Sequence, residues 1–135
     1  MLTEIDWGGV IYFAIFFGIA IVYLFIFSAI YLWVTPYPEI KLIRSGNTAA
    51  ALSFSGALLG FIIPLSKAVE QAESVLEFVV WGTLAIIVQC LSYWVMRKIF
   101  PNFVESIQKN ILAEGVLSAA LSIGLGMICA ASMTA

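Results

Sequence analysis

The chain has 135 residues, a formal net charge of −2, and 63% hydrophobic against 10% charged residues, with a mean hydropathy of +1.09 and a pI near 4.9. This composition excludes a soluble fold, because ordinary domains carry about 25% charged residues. It also excludes a nucleic-acid partner, since no segment gathers the Lys/Arg density that phosphate binding requires.

Four stretches carry no charge: Trp7–Pro38, Ser45–Ser66, Phe78–Met96 and Gly115–Ala135, of 32, 22, 19 and 21 residues. A bilayer core of roughly 30 Å is crossed by about 20 apolar helical residues, so each stretch suffices. The chain is therefore read as an all-α integral membrane protein with four transmembrane helices, forming a single membrane domain over residues 1–135. The first stretch is not a cleavable signal peptide. Met1–Asp6 ahead of it is acidic, and its apolar length far exceeds a signal h-region.

Span one is bulky and aromatic, with Trp7, Tyr12, Phe13, Phe16, Phe17, Tyr23, Phe25, Phe27, Tyr31 and Trp33, a surface suited to lipid or to filling gaps. The loop after it carries Lys41 and Arg44, and the loop after span three carries Arg97, Lys98 and Lys109. The remaining side holds Lys67 beside Glu70, Glu73 and Glu77, with Glu4 and Asp6 at the N-terminus. The positive-inside rule counts Lys/Arg in short loops, which puts both basic loops in the cytoplasm and both termini outside. Aromatic belts agree, with Trp7 and Trp81 near the outer interface and Tyr31, Trp33, Tyr93 and Trp94 near the inner one.

At 100° per residue, span two gathers Ala49, Ser53, Gly56, Ala57, Gly60 and Pro64 on one face, with Phe54, Leu58, Phe61 and Leu65 opposite. Span four gathers Gly115, Ala119, Ser122 and Gly126. Small-xxx-small ladders let helix backbones approach closely in lipid, where little hydrophobic drive separates helices from their surroundings. Spans two and four are thus expected to form an inner layer whose small faces serve packing or line a path. Pro64 removes the hydrogen bond to the Gly60 carbonyl, so a bend or local opening is expected there.

The chain also reads as two tandem helical-hairpin repeats, residues 7–70 and 75–135, each a span, a basic loop with a proline (Pro36, Pro101) and a span rich in small residues. A two-span unit returns the chain to its starting side, so the copies would lie in parallel orientation about an axis along the membrane normal. At an offset of 64, Ala49/Ala113 and Gly60/Gly124 coincide.

Ionisable groups deep in a membrane mark transport, and none falls at mid-span. The nearest is Glu114, which opens span four on the sector of Ser118, Ser122, Cys129 and Ser132. A carboxylate in a first helical turn is favoured by the macrodipole; the sharper reading makes it a proton or cation site at the cytoplasmic mouth. Gln89 is the strongly polar residue in the middle of span three and suits either an interhelical hydrogen bond or a polar lining. Enzyme chemistry has nothing to stand on: there is no His, no phosphate loop, no nucleophile beside a base and no metal-ligand spacing. No cofactor is implied. Cys90 and Cys129 differ in depth by roughly 10 Å at about 1.5 Å per residue, too far apart for a disulfide.

The string Asn47-Thr48-Ala49-Ala50-Ala51-Leu52-Ser53-Phe54-Ser55-Gly56-Ala57-Leu58-Leu59-Gly60-Phe61-Ile62-Ile63-Pro64-Leu65 resembles the signature of the YjfL-like bacterial inner membrane proteins, the domain of unknown function 350 family. Thr35-Pro36, Trp81-Gly82 and the small-residue ending Ala130-Ala131-Ser132-Met133-Thr134 fit the same family. The resemblance implies a multi-pass protein of a bacterial inner membrane built from two hairpin units, and no established activity. One departure stands out: where the second unit of such proteins echoes Asn-Thr-Ala-Ala-Gly, this chain has Ile111-Leu112-Ala113-Glu114-Gly115.

Two function classes follow. In the first, the chain is a homo-oligomeric channel or transporter subunit for an ion or small solute, with spans two and four around the axis. In the second, it is a non-transporting scaffold or anchor, whose loops 35–47 and 97–112 recruit a cytoplasmic protein partner in envelope maintenance.

Overall fold

The computed structural model describes residues 6–133; Glu4 and Thr134, used in the readings above, lie outside the described residues. Its helices are α1 (Trp7–Val34), α2 (Glu39–Arg44), α3 (Thr48–Gln71), α4 (Val75–Ile99), α5 (Phe103–Gln108) and α6 (Leu112–Ser132). Four of them, α1, α3, α4 and α6, are long and apolar enough to cross a membrane.

Caps and prolines, rather than the limits of the uncharged runs, set the helix ends. Asp6 accepts a hydrogen bond from the Gly9 amide at 3.2 Å, Asn47 from Ala50 at 2.9 Å and Ser74 from Glu77 at 3.1 Å, each satisfying an orphan donor of a first turn. Thr35 and Phe100 end α1 and α4 in extended conformation, because the proline that follows each disfavours the helical region for its predecessor. Consequently α3 runs through Lys67 and Glu70, and α4 through Arg97 and Lys98, past the charges that mark the interface.

The most extensive interface joins α3 to α6. Along it Ala49 meets Gly115, Ser53 meets Ser118, Gly56 meets Ala119, and Gly60 meets Ser122 and Gly126. The contacts climb both helices together, so α3 and α6 run the same way. A Cβ at Gly115 would lie 2.9 Å from the Ala49 carbonyl oxygen, which shows how small the separation is. Pro64 sits in an unbroken α3. The Gly60 carbonyl it leaves without a helical donor faces Gly126, whose missing side chain leaves room for it.

The opposite face of α3 meets the core as well, with Phe61 and Leu65 buried and Phe54 and Leu58 partly so. Phe61 stacks on Phe27 of α1 at 4.6 Å, and Leu65 is buried beside it in the core. Helix α1 is otherwise peripheral, with Phe13, Phe25 and Trp33 exposed as befits a lipid-facing helix. It is tied down by Tyr12 donating to the Ala72 carbonyl at 2.9 Å, by Tyr23 donating to Val79 at 3.0 Å and by Phe16 edge-on to Phe78 at 5.6 Å.

The two basic loops are not open loops, since each folds into a short helix, α2 or α5, at one end of the bundle. The turns leaving them match. Ser45 donates to Lys41 and Lys109 to Glu105; Gly46 donates to Ile43 and Asn110 to Ile107; Asn47 donates to Leu42 and Ile111 to Ser106. Gly46 and Asn110 occupy corresponding left-handed positions, at φ 92° and 60°, a conformation that glycine and asparagine adopt most readily. Asn47 joins the two turns, its amide donating to the Ile107 carbonyl at 2.7 Å. Asn110 accepts from the Ala49 amide at 2.8 Å.

Candidate functional site

The end of the bundle that carries α2 and α5 encloses a carboxylate. Pro38 precedes α2 and turns it back over the helix ends, so Glu39, its first residue, points inward and is only 2% exposed. The hydroxyl of Thr35 donates to Glu39 Oε2 at 3.3 Å, while Oε1 has no hydrogen-bond partner. Burial pushes the Glu39 carboxyl up to about 8 from an ordinary value of 4.5, with the Thr35 hydroxyl pulling weakly the other way. At neutral pH Glu39 is therefore mostly protonated.

Three phenols from different segments surround it. Tyr31 in the last turn of α1, Tyr37 between α1 and α2, and Tyr93 in α4 are all buried and lie within electrostatic reach of Glu39. The hydroxyls of Tyr37 and Tyr93 have no hydrogen-bond partner. Burial also pushes the Tyr37 hydroxyl upward, far from any physiological ionisation. Tyr31 and Tyr93 thus depart from the interfacial belt expected of them. Their rings meet edge-on at 5.9 Å in the interior, while Trp33 and Trp94 face outward on the same helices.

From this pocket a string of hydroxyls enters the bundle. Tyr31 Oη lies 3.3 Å from Ser53 Oγ, and Ser53 Oγ lies 3.2 Å from Ser118 Oγ. One turn further along α6, Ser122 Oγ lies 3.1 Å from Ser92 Oγ. There Gln89 Nε2 donates to the Ser122 carbonyl at 3.1 Å, leaving Gln89 Oε1 without a partner. Ser53, Gln89, Ser92, Ser118 and Ser122 are all buried. Beyond Gln89 the seam narrows to the contact between Gly60 and Gly126.

The residues singled out in the sequence fall into three groups. Ser53, Gln89, Ser118 and Ser122 join the polar string. Gly56, Gly60, Gly115 and Gly126 hold α3 against α6, with Pro64 buried beside them. Glu114 is only partly buried in the first turn of α6, one turn before Ser118, and makes no hydrogen bond to this string. Cys90 and Cys129 are free thiols. Among the described residues, no three His, Cys, Asp or Glu side chains gather as a metal site would need. Glu39 escaped the sequence reading because it follows the last uncharged residue of a long span. The flanking prolines of Thr35-Pro36-Tyr37-Pro38-Glu39, which stop the helix and turn the chain back, were the available signal.

Four membrane-length helices around a closed small-residue seam, with a polar string that begins near one buried carboxyl, define a multi-pass membrane protein. The sequence profile of the Domain of Unknown Function (DUF350) family matches residues 5–133, and the chain belongs to that family. It is 40% identical over 119 residues to the UPF0719 inner membrane protein YjfL of Escherichia coli strain K12, covering 88% of this chain and 89% of that protein. It is 27% identical over 122 residues to the UPF0719 transmembrane protein YshE of Bacillus subtilis strain 168, covering 89% and 91%. No solved structure matches the chain.

Proposed function

We propose that the chain handles a proton or small cation at the membrane, as a channel or transporter subunit whose working groups are Glu39 and the hydroxyl string. The carrying observation is the carboxyl at 2% exposure with one oxygen unpaired. A buried ionisable group is costly and persists where it does something. The route is proposed within one chain rather than around an axis of several copies, because the small-residue faces of α3 and α6 are occupied by each other.

Two finer features belong to the same proposal. Lys41, Arg44, Arg97, Lys98 and Lys109 are all exposed at the end bearing α2 and α5, which supports a cytoplasmic location for that end and an outer one for both termini. The matched turns after α2 and α5, hydrogen-bonded at a constant spacing of 64 residues, support two tandem repeats in parallel orientation.

A second reading, a non-transporting scaffold with the same basic end as its docking face, is favoured by the closure of the seam beyond Gln89. Flux in liposomes separates the two. Protein reconstituted in vesicles and given a pH or alkali-cation gradient is expected to dissipate it, and Glu39→Gln to lower the rate at least tenfold with the fold retained. Absence of flux from the parent protein under every gradient would favour the scaffold.

A further inference from the structure

This inference rests on the ion-handling reading of Glu39 and names what the pocket holds. We propose that Glu39, Tyr37 and Tyr93, closed on one side by Thr35, form a binding site for a monovalent alkali cation that enters as the Glu39 proton leaves. The observation is a juxtaposition of unmet oxygens. Glu39 Oε1 and the hydroxyls of Tyr37 and Tyr93 come from three segments, and their residues are 2%, 3% and 4% exposed. None of these oxygens has a hydrogen-bond partner, although the groups lie within electrostatic reach of one another. Buried polar atoms are almost always satisfied, and leaving one unmet costs about 1–3 kcal/mol. Three such atoms within electrostatic reach of one another at one end of the bundle call for a shared partner.

The donor set specifies that partner. The unmet atoms of the pocket are all oxygens, so the site suits a hard cation rather than a transition metal. One carboxylate supplies one negative charge. A monovalent ion leaves the buried site neutral, whereas a divalent ion would leave an uncompensated charge in a low-dielectric interior.

Ser53 approaches Tyr37 and Arg97 approaches Tyr93, yet neither completes a hydrogen bond to those hydroxyls, and Glu39 Oε1 has no partner at all. From α1 comes Tyr31, from the residue that ends it Thr35, from α3 the neutral Ser53, and from α5 the ring of Phe103 against Tyr93 at 6.1 Å. Arg97 of α4 lies with its guanidinium 6.0 Å from the centre of the Tyr93 ring and is exposed. Lys41 and Arg44 on α2 are exposed too. The exchange balances: the neutral carboxylic acid releases a proton to bulk water, and the carboxylate takes the cation with no redox change.

The test uses the purified full chain in nanodiscs, weakly buffered at pH 7, with a soluble pH dye. NaCl, LiCl or KCl is added against choline chloride at equal ionic strength. At least one alkali salt is expected to release about one proton per chain, the state that a carboxyl near 8 predicts. Tyr37→Phe with Tyr93→Phe keeps the carboxyl and is expected to raise the half-saturating salt concentration at least tenfold. Glu39→Gln is expected to release nothing. Release equal to that in choline for all three salts, or unchanged by the double Tyr variant, would overturn the proposal. Alkali-specific release from protein that carries no flux in liposomes keeps the site and sinks the transport reading. Flux that depends on Glu39 without alkali-specific release does the reverse.

Discussion

Alanine at Gly126 or Gly60 is expected to destabilise the bundle by about 3 kcal/mol or more, near the upper end for overpacking, whereas the same change at Gly18 or Gly124 is expected to be neutral or slightly stabilising. A Cβ at Gly126 would meet the Gly60 carbonyl, and a Cβ at Gly60 would meet the Ser122 carbonyl and, at 2.8 Å, the Gln89 amide nitrogen. Backbone atoms cannot step aside as a flexible side chain does, so the two helices must part along their length. Parting also breaks the Gln89–Ser122 hydrogen bond and separates Ser53 from Ser118. Gly18 and Gly124 have nothing within 4 Å of the added atom, and there alanine gains about 1 kcal/mol of helix propensity over glycine. Thermal unfolding of the four variants in one detergent checks this. Equal stability of all four would mean that the α3–α6 seam is looser than described.

The second large effect is on pH dependence. Glu39 has its carboxyl raised from 4.5 to about 8, so between those values the native chain holds a proton that the unfolded chain has released. Stability therefore peaks below this window and falls as pH rises across it, by on the order of 3 to 5 kcal/mol. This is opposite in sign to the usual paired carboxylate, whose contribution is lost on acidification. Glu39→Gln is neutral at every pH and is expected to flatten the profile, becoming more stable than the parent above pH 8. Parallel profiles for parent and variant, measured by denaturation midpoints from pH 5 to 9, would contradict the buried position.

Much of the architecture was legible because the bilayer simplifies the code. Uncharged runs of adequate length give the spans, and small residues four apart on Gly56 and Gly60 give the helix face that α6 covers. The ends were less legible. Lys67, Glu70, Arg97 and Lys98 suggest helix limits by their charge, yet the helices continue through them because interfacial side chains reach water from a helical backbone. Tyr31 and Tyr93 read as belt residues by position along the span, whereas rotation around the helix decides whether a phenol faces lipid or the interior. A one-dimensional boundary carries no such angle.

Glu39 shows the same limit more sharply. Its place in the sequence, one residue past an uncharged run and two before Lys41, is that of a solvated loop carboxylate. Only the return of α2 over the bundle end buries it, and that return depends on prolines at 36 and 38 and on contacts with chain segments far away in sequence. The hydroxyl string was partly visible, since Ser53, Ser118 and Ser122 lie on the small-residue faces. Its link to Tyr31 and Ser92 required the tertiary pairing of four helices.

The most direct measurement is an infrared pH titration of the protein in lipid, with the Glu39→Gln spectrum subtracted to isolate one carboxyl. The account predicts a protonated carboxylic acid band at neutral pH that is lost on alkalinisation with a midpoint near 8. A Glu39 already ionised at pH 6, titrating in the ordinary range about 4.5, would contradict it and leave the ion site without its central group.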